Sequence, residues 1–212
     1  MNLHPRFPYQ LYLVISEKDC LGRNFLNVAK EAILGGVDII QLREKNTGTK
    51  EFLQKALQLK EITEKYDIPL IINDHPEVAE KADAFGIHVG NNDTAPTSLR
   101  DRLFFKNKII GYSIEYLEQL ENEQTALSDY LGISPIFGTK TKEDTVTEWG
   151  IDGLAHIRSL TDKPLIAIGN INIKNAEIIM NAGANSLAVV SAICASEKPQ
   201  KAAFELKNEI LK

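Results

Sequence analysis

The chain has 212 residues, 43% of them hydrophobic, and a formal net charge of −5 with neither a basic block nor an acidic tail. This balance argues against broad binding to nucleic acid or to an anionic membrane, because both need a positive surface field. The length is that of one domain with a sizeable core, and no apolar run is long enough for a signal peptide or a membrane span. The two cysteines, Cys20 and Cys194, lack metal-binding spacing, which indicates reduced thiols in a cytoplasmic protein.

Apolar stretches of strand length alternate with stretches of helical spacing along the whole chain. In the first half the pattern predicts a strand at 11–16, a helix at 24–34, a strand at 38–43, a helix at 49–66, a strand at 69–73, a short helix at 76–82 and a strand at 86–89. In the second half it predicts a helix at 97–105, a strand at 108–113, a helix at 116–127, a strand at 130–136, a polar loop at 137–149, a helix at 153–160, a strand at 164–168, a helix at 175–182, a strand at 186–193 and a helix at 199–211.

Eight strand–helix units in a chain of this length predict an α/β fold, a (β/α)₈ TIM barrel that forms a single domain over 1–212. Several of the strands are apolar on both faces, which is typical of a parallel sheet covered by helices. An open doubly wound sheet alternates in the same way and is the alternative. The number of units favours the barrel.

Polar side chains follow the apolar part of the second predicted strand. Gln41, Arg43 and Lys45 alternate with Leu42 and Glu44, and alternate side chains of a strand point the same way. Two cations and an amide at one strand end form a receptor for an anion such as phosphate or pyrophosphate. For an isolated pair of cations, a solvated strand end with a local ion pair is the alternative.

Carboxylates follow the next two strands, where Asp74 comes directly after the third and Asp93 comes after the fourth. In a barrel these strand ends share one face, where active sites form. Two neighbouring carboxylates make a hard oxygen site suited to Mg²⁺, whose other ligands are waters and phosphate oxygens. Taken alone, Asp74 also fits a helix N-cap and Asp93 a turn former. His88, within the fourth strand, is interpreted as a packed, hydrogen-bonded core histidine.

Polar or small residues also end the last four strands. Ser113 ends the fifth, a loop at 138–142 with hydroxyls and cations follows the sixth, Gly169 and Asn170 follow the seventh, and Ser191 ends the eighth. Barrels often bind phosphate at their last strands through backbone N–H groups. A surface loop and a plain turn are the alternatives for 138–142 and for Gly169.

Together these segments resemble the thiamine-phosphate synthase (thiamine-phosphate pyrophosphorylase) family, in order and over nearly the whole chain. The motifs that carry the resemblance are QLREK at 41–45, IND at 72–74, GIHVG at 86–90 with Asp93, GYS at 111–113, DYLGISPIFGTKTK at 129–142, AIGNI at 167–171 and AVVSAI at 188–193. The resemblance implies a (β/α)₈ transferase that joins hydroxymethylpyrimidine diphosphate to hydroxyethylthiazole phosphate and releases pyrophosphate, with Mg²⁺ as cofactor.

The resemblance also implies roles for single residues. Those expected to hold the pyrimidine diphosphate are Gln41, Arg43, Lys45, Asn73 and Lys142, with Ser113 near the leaving pyrophosphate and with Asp74 and Asp93 on Mg²⁺. Those expected to bind the thiazole phosphate are Thr139, Thr141, Gly169, Asn170, Val190 and Ser191. Leu42, Glu44 and Lys140 belong to the same motifs and complete the predicted substrate-binding set. The expected catalytic groups are Arg43, Lys45, Ser113 and Lys142.

Three positions depart from the family pattern. Asn170 stands where the family usually has a second glycine, Asn91 where it has glutamine, and Glu115 where it often has a histidine. Glu115 argues against the related thiazole tautomerase, which typically uses that histidine and does not need the two metal carboxylates. A non-catalytic barrel that binds thiamine precursors is the other alternative. The expected partners are small-molecule substrates rather than nucleic acid or membrane, and the oligomeric state is open, a homo-oligomer included.

Overall fold

The computed structural model describes residues 4–45, 47–138 and 147–212. Its strands are β1 Leu11–Ile15, β2 Ile39–Leu42, β3 Leu70–Asn73, β4 Gly86–Val89, β5 Ile109–Ile114, β6 Tyr130–Ile133, β7 Leu165–Ile168 and β8 Ser186–Val189. The α-helices of the described residues are α1 Phe25–Leu34, α2 Thr49–Lys65, α3 Pro76–Lys81, α4 Pro96–Asp101, α5 Glu123–Leu127, α6 Gly150–Leu160, α7 Ala176–Asn181, α8 Ser191–Cys194 and α9 Pro199–Ile210. Short 3₁₀ turns occupy Lys18–Cys20, Leu103–Asn107 and Leu117–Glu121.

The eight strands form one closed parallel barrel in chain order. Strand β1 closes it, because Leu13 pairs with Ile40 of β2 on one side and with Val189 of β8 on the other. Each parallel neighbour needs a crossover, and the intervening helices supply it. The predicted (β/α)₈ barrel is confirmed, and pairing of the first strand with the last rules out the open sheet.

The hydrophobic core has two parts, one between the barrel and its helices and one inside the barrel. Helix α1 shows how the outer part forms: Phe25, Val28, Ala29 and Ala32 recur at helical spacing and are buried on one face. Asn24 starts this helix by accepting hydrogen bonds from two backbone N–H groups of its first turn. The inner part consists of Phe7, Tyr12, Val14, Ile39, Ile71, Tyr130, Ile166 and Ala188.

Two predicted strands extend three or four residues too far at their carboxyl ends. The eighth, predicted at 186–193, is wrong in its second half, since β8 ends at Val189 and residues from Ser191 form α8. A buried apolar run fits a strand and a buried helix equally well, so its spacing does not separate them. The sixth, predicted at 130–136, ends at Ile133 because Pro135 has no N–H for the ladder.

Two predicted helices are interrupted. The helix predicted at 116–127 is a 3₁₀ turn followed by α5, because the Asn122 side chain accepts from the backbone of Thr125 and starts a new helix. The helix predicted at 97–105 is α4 followed by a 3₁₀ turn. Among the described residues, no helix has both the length and the apolar character needed to cross a bilayer.

Candidate active site

The three polar side chains predicted to alternate along β2 share one cavity at the carboxyl end of the barrel. Gln41, Arg43 and Lys45 all line it, although the strand ends at Leu42 and Lys45 lies beyond the ladder. The ammonium of Lys45 is 2.7 Å from the carboxylate of Asp74. The guanidinium of Arg43 makes no hydrogen bond or ion pair with another described residue. Arg43 is therefore free, within this part of the chain, to receive an anionic ligand.

A tight turn at the end of β3 brings Asp74 to the same cavity. Asp74 has a φ of +60°, a conformation that aspartate tolerates better than most residues. Its backbone N–H donates to the carbonyl of His88 on β4 over 2.8 Å. The side-chain amide of Asn73 donates to the Asp74 carboxylate over 2.6 Å. The first contact holds the backbone turn, and the second orients the carboxylate.

Asp93 lies beside Asp74 in the loop after β4. Its carboxylate accepts a hydrogen bond of 2.8 Å from the backbone of Gly90. Burial raises the pKa of the Asp93 carboxyl, hydrogen bonding to Asp74 and its negative charge raise it further, and the Gly90 N–H and the charge of Lys45 act in the opposite direction. Two carboxyl groups this close repel when both are ionised, so the pair favours a bound cation.

The floor of the cavity is a run of hydrogen-bonded side chains inside the barrel. The amide of Gln41 donates to the hydroxyl of Tyr12 over 2.8 Å, and that hydroxyl lies 3.0 Å from the hydroxyl of Tyr130. Nδ1 of His88 is 3.1 Å from the Tyr130 hydroxyl, and its Nε2 is 3.0 Å from Oγ of Ser113. We call these five residues the interior chain. His88 is hydrogen-bonded, as expected of a core histidine, and it also lines the cavity.

A second cavity adjoins the first at the ends of β7 and β8. Its lining includes Gly169, Asn170, Val190 and Ser191. It shares five lining residues with the first cavity, namely Val14, Arg43, Ser134, Ile168 and Ala188. Gly169 and Asn170 both have positive φ, at 117° and 51°. A Cβ at Gly169 would lie 2.6 Å from the side chain of Pro135, so the turn requires glycine at this position.

The chain matches, over residues 11–193, the family model described as thiamine monophosphate synthase. It belongs to that family. A relative named thiamine-phosphate synthase from Albidiferax ferrireducens is 44% identical over 201 residues, covering 95% of this chain and 91% of its own. One of the same name from Alkaliphilus oremlandii is 43% identical, covering 99% of this chain and all of its own length. The solved thiamine phosphate pyrophosphorylase from Pyrococcus furiosus superposes with a TM-score of 0.88 at 30% identity and 98% coverage of both chains.

Not every residue of the family motifs reaches the two cavities. Leu42 is fully buried in the core between barrel and helices. The Glu44 carboxylate accepts from the backbone of Glu17 over 2.8 Å and from the ammonium of Lys55 over 3.1 Å, and it does not line either cavity. Glu44 therefore ties the loop after β1 to α2. Four predicted site residues lie outside the described residues: Thr139, Lys140, Thr141 and Lys142.

Two of the departures from the family pattern contact each other at the cavity mouth. The side-chain amide of Asn91 donates to the carboxylate of Glu115 over 2.7 Å, and its oxygen accepts from Tyr112 and Gln119 over 2.5 and 2.6 Å. Asn91 and Glu115 both line the first cavity. Sequence reasoning assigned no role to Gln119, Tyr12 or Tyr130. Tyrosines within otherwise apolar strands were the only signal for the last two.

Proposed function

We propose that this chain condenses hydroxymethylpyrimidine diphosphate with hydroxyethylthiazole phosphate to give thiamine phosphate and pyrophosphate. The observation that carries the proposal is the pair of adjoining cavities that meet at Arg43. One contains cations beside two carboxylates, and the other contains the turns after β7 and β8. A reaction between two substrates needs two such sites that open onto each other, because holding both reactants in place removes much of the entropic cost. Relatives at over 40% identity are named for this activity.

The donor set fits a magnesium ion held jointly by the protein and the substrate. Asp74 and Asp93, which contact each other, would hold Mg²⁺. Within the described ranges no third His, Cys, Asp or Glu side chain joins them in a metal-binding cluster. Two carboxylates with the remaining positions filled by water and phosphate oxygens is the usual magnesium arrangement. Bound there, the ion would supply neutralisation of negative charge on the diphosphate.

The diphosphate would lie between these carboxylates and the two cations that follow β2. Arg43 offers a guanidinium fork that has no partner among the described residues, and Lys45 is half-exposed beside Asp74. Asn73 and Gln41 offer amide groups on the same wall, and Ser113 offers a hydroxyl from β5. By resemblance, Lys142 adds a third cation from the segment outside the described residues.

The thiazole phosphate would occupy the second cavity. Support comes from the turn at Gly169 and Asn170, whose positive φ values turn the backbone after β7 at the cavity wall. Asparagine tolerates that conformation, so its replacement of the second family glycine retains the backbone turn. Val190 and Ser191 also line this cavity, at the point where α8 begins. Thr139 and Thr141 join them by resemblance only.

The proposed reaction is dissociative. The bond between the pyrimidine methylene carbon and the diphosphate oxygen breaks first, and its electron pair leaves with the diphosphate. The thiazole nitrogen then donates its lone pair to the resulting cation, and no proton has to be removed. Arg43, Lys45 and Lys142 stabilise the charge that develops on the leaving group. The apolar side chains of Ile166, Ile168 and Ala188 in the cavity wall would limit the access of water to the cation.

We also propose a cytoplasmic location and small-molecule partners only. Both cysteines are buried free thiols, as expected in a reducing compartment. The net charge of −5 supports neither nucleic acid nor an anionic membrane as partner.

The proposal is tested by measuring pyrophosphate release with Mg²⁺ while each substrate is omitted in turn. Sustained release that requires both substrates, together with thiamine phosphate as the organic product, supports the synthase. Binding of both substrates without release of pyrophosphate would instead support the precursor-binding barrel. Isomerisation of a thiazole carboxylate phosphate without condensation would support the tautomerase.

A further inference from the structure

We propose that the interior chain runs in one fixed hydrogen-bonding direction, and that through it His88 holds Ser113 with its hydroxyl proton presented to the ligand. His88 is then a positioning residue, neither a general base nor inert packing. The inference rests on the proposed function only in naming the ligand's reacting group as a diphosphate.

The direction is set at the Gln41 end. A side-chain amide nitrogen only donates, so the Tyr12 oxygen accepts from Gln41 and its own proton must go elsewhere. Tyr12 is 1% exposed, and within the described residues its other hydrogen-bond partner is Tyr130. If Tyr130 donated to Tyr12 instead, the Tyr12 proton would be buried without an acceptor, which is costly. Tyr12 therefore donates to Tyr130.

The direction of hydrogen-bond donation continues from Tyr12 through Tyr130 and His88 to Ser113. Burial raises the pKa of both phenols, so each holds exactly one proton under ordinary conditions. Tyr130 accepts from Tyr12 and thus donates to Nδ1 of His88. With Nδ1 accepting, the proton of the neutral ring lies on Nε2, which donates to Oγ of Ser113. The serine accepts from His88, and its own proton is left for the cavity.

Two glycines make room for this arrangement. A Cβ at Gly111 would lie 2.1 Å from the Tyr130 ring, and a Cβ at Gly132 would lie 2.9 Å from the His88 ring. The two rings stack with centroids 5.5 Å apart. Any larger residue at either position would displace a ring. The interior chain therefore depends on these glycines of β5 and β6 as well as on its own five residues.

A fixed serine donor suits a leaving diphosphate. Phosphate oxygens of a diphosphate only accept hydrogen bonds. If Ser113 donated its proton to His88, only the lone pairs of its oxygen would face the anion, and these would repel it. With the proton turned outward, the hydroxyl donates most strongly when negative charge develops on the leaving group. Such a contact contributes more to the transition state than to ground-state binding, and its loss lowers kcat more than it raises KM.

The direct test is the tautomer of His88, read by ¹⁵N NMR of the ligand-free protein at mildly alkaline pH, where a neutral histidine is expected. The His88 signals are assigned by their absence from His88→Gln. The proposal predicts a protonated Nε2 and an unprotonated, hydrogen-bond-accepting Nδ1. Protonation of Nδ1, alone or together with Nε2, overturns it. This measurement needs no substrate and no catalytic activity, so it separates failure of the inference from failure of the proposed function.

The second test is a double-mutant cycle on pyrophosphate release. Tyr130→Phe removes the donor to Nδ1, and we expect kcat to fall about threefold to tenfold with little change in KM. In a Ser113→Ala background the same change should have no further effect, because the proton it orients is gone. Equal effects in both backgrounds overturn the proposal. Tyr66→Phe, which removes a phenol hydroxyl outside the barrel, is the control and should leave kcat unchanged.

Discussion

Arg43 is the one charged residue among the five that line both cavities, and its position continues the alternation of side chains just past the end of β2. It lines both cavities, and its guanidinium contacts no other charged group among the described residues. Lys45, two residues further along the chain, is by contrast paired: its ammonium lies 2.7 Å from the Asp74 carboxylate. A bound cation between Asp74 and Asp93 would compete with that ion pair and free Lys45 for the diphosphate.

We expect the Asp93→Asn variant to lose about 10²-fold or more of its Mg²⁺-dependent turnover while keeping the wild-type melting temperature. The amide retains an oxygen for the Gly90 N–H but not the charge that a metal needs. Asp74→Asn should behave in the same way, and asparagine suits its φ of +60° better than alanine would. Steady-state kinetics over a range of Mg²⁺ concentrations checks both.

The exposed Asp101→Asn on α4 is the matched control and should leave activity unchanged. Near-normal activity of either site variant at low Mg²⁺ would show that the residue does not hold the metal.

Residue types at strand ends could be predicted from the sequence, whereas their partners could not. Alternation placed Gln41, Arg43 and Lys45 on one wall, and the structure agrees. The ion pair between Lys45 and Asp74 depends on the register of β2 against β3, and no local pattern encodes that register. Glu44 was included in the predicted substrate-binding set because it belongs to the same motif, but its side chain lies on the other side of the alternation and contacts Lys55.

At the scale of elements, the boundaries depend on tertiary contacts that a single sequence does not reveal. The order and type of the eight strands follow from apolar runs and helix stop signals. The start of α8 immediately after β8 was not predictable, because the apolar residues on both sides of Val190 continue without a break. The site is affected by this, since the turn between them lines the second cavity.

Strand β5 contains a glycine, Gly111, whose replacement should destabilise the protein by disturbing the packing inside the barrel. We expect Gly111→Ala to lower the free energy of unfolding by about 1–3 kcal/mol or more, because the new Cβ would lie 2.1 Å from the Tyr130 ring. Urea denaturation followed by circular dichroism measures it. Gly48→Ala is the control, since nothing lies within 4 Å of a Cβ there. Equal stability of the two variants would contradict the described packing of Tyr130.

The segment after β6 gives a prediction from sequence alone. Lys142 matches the cation of the family motif and Lys140 does not, so Lys142→Ala should impair turnover more than Lys140→Ala. Comparison of kcat/KM for the two variants checks it. Equal losses would show that the motif has been aligned out of register.

Across the whole molecule, the carboxyl ends of the strands contain the candidate active site, whereas the side chains at their amino ends stabilise the fold. At the carboxyl ends of the strands lie the cations and carboxylates of the two cavities. At the amino ends, side chains accept hydrogen bonds from strand backbones: Asp38 from Gln10 and Leu11, Asp129 from Ile110, and Asn185 from Leu165. Such groups stabilise the fold and are remote from the chemistry.

Asp129→Ala should therefore reduce stability without reducing activity. The change leaves the Ile110 N–H without its 2.7 Å partner and removes the ion pair of Arg100 at 2.6 Å. We expect a loss of about 1–3 kcal/mol in the free energy of unfolding, with kcat unchanged at temperatures where the variant is folded. A loss of kcat in fully folded Asp129→Ala would show that the two ends are coupled.

In the proposed reaction the first cavity binds a diphosphate through a magnesium ion and the two cations that follow β2. Calorimetric titration of inorganic pyrophosphate into the wild-type protein, with and without Mg²⁺, and into Asp93→Asn with Mg²⁺, tests it most directly. We expect tight binding only for the wild-type protein with Mg²⁺. Equal affinity in all three titrations would contradict it.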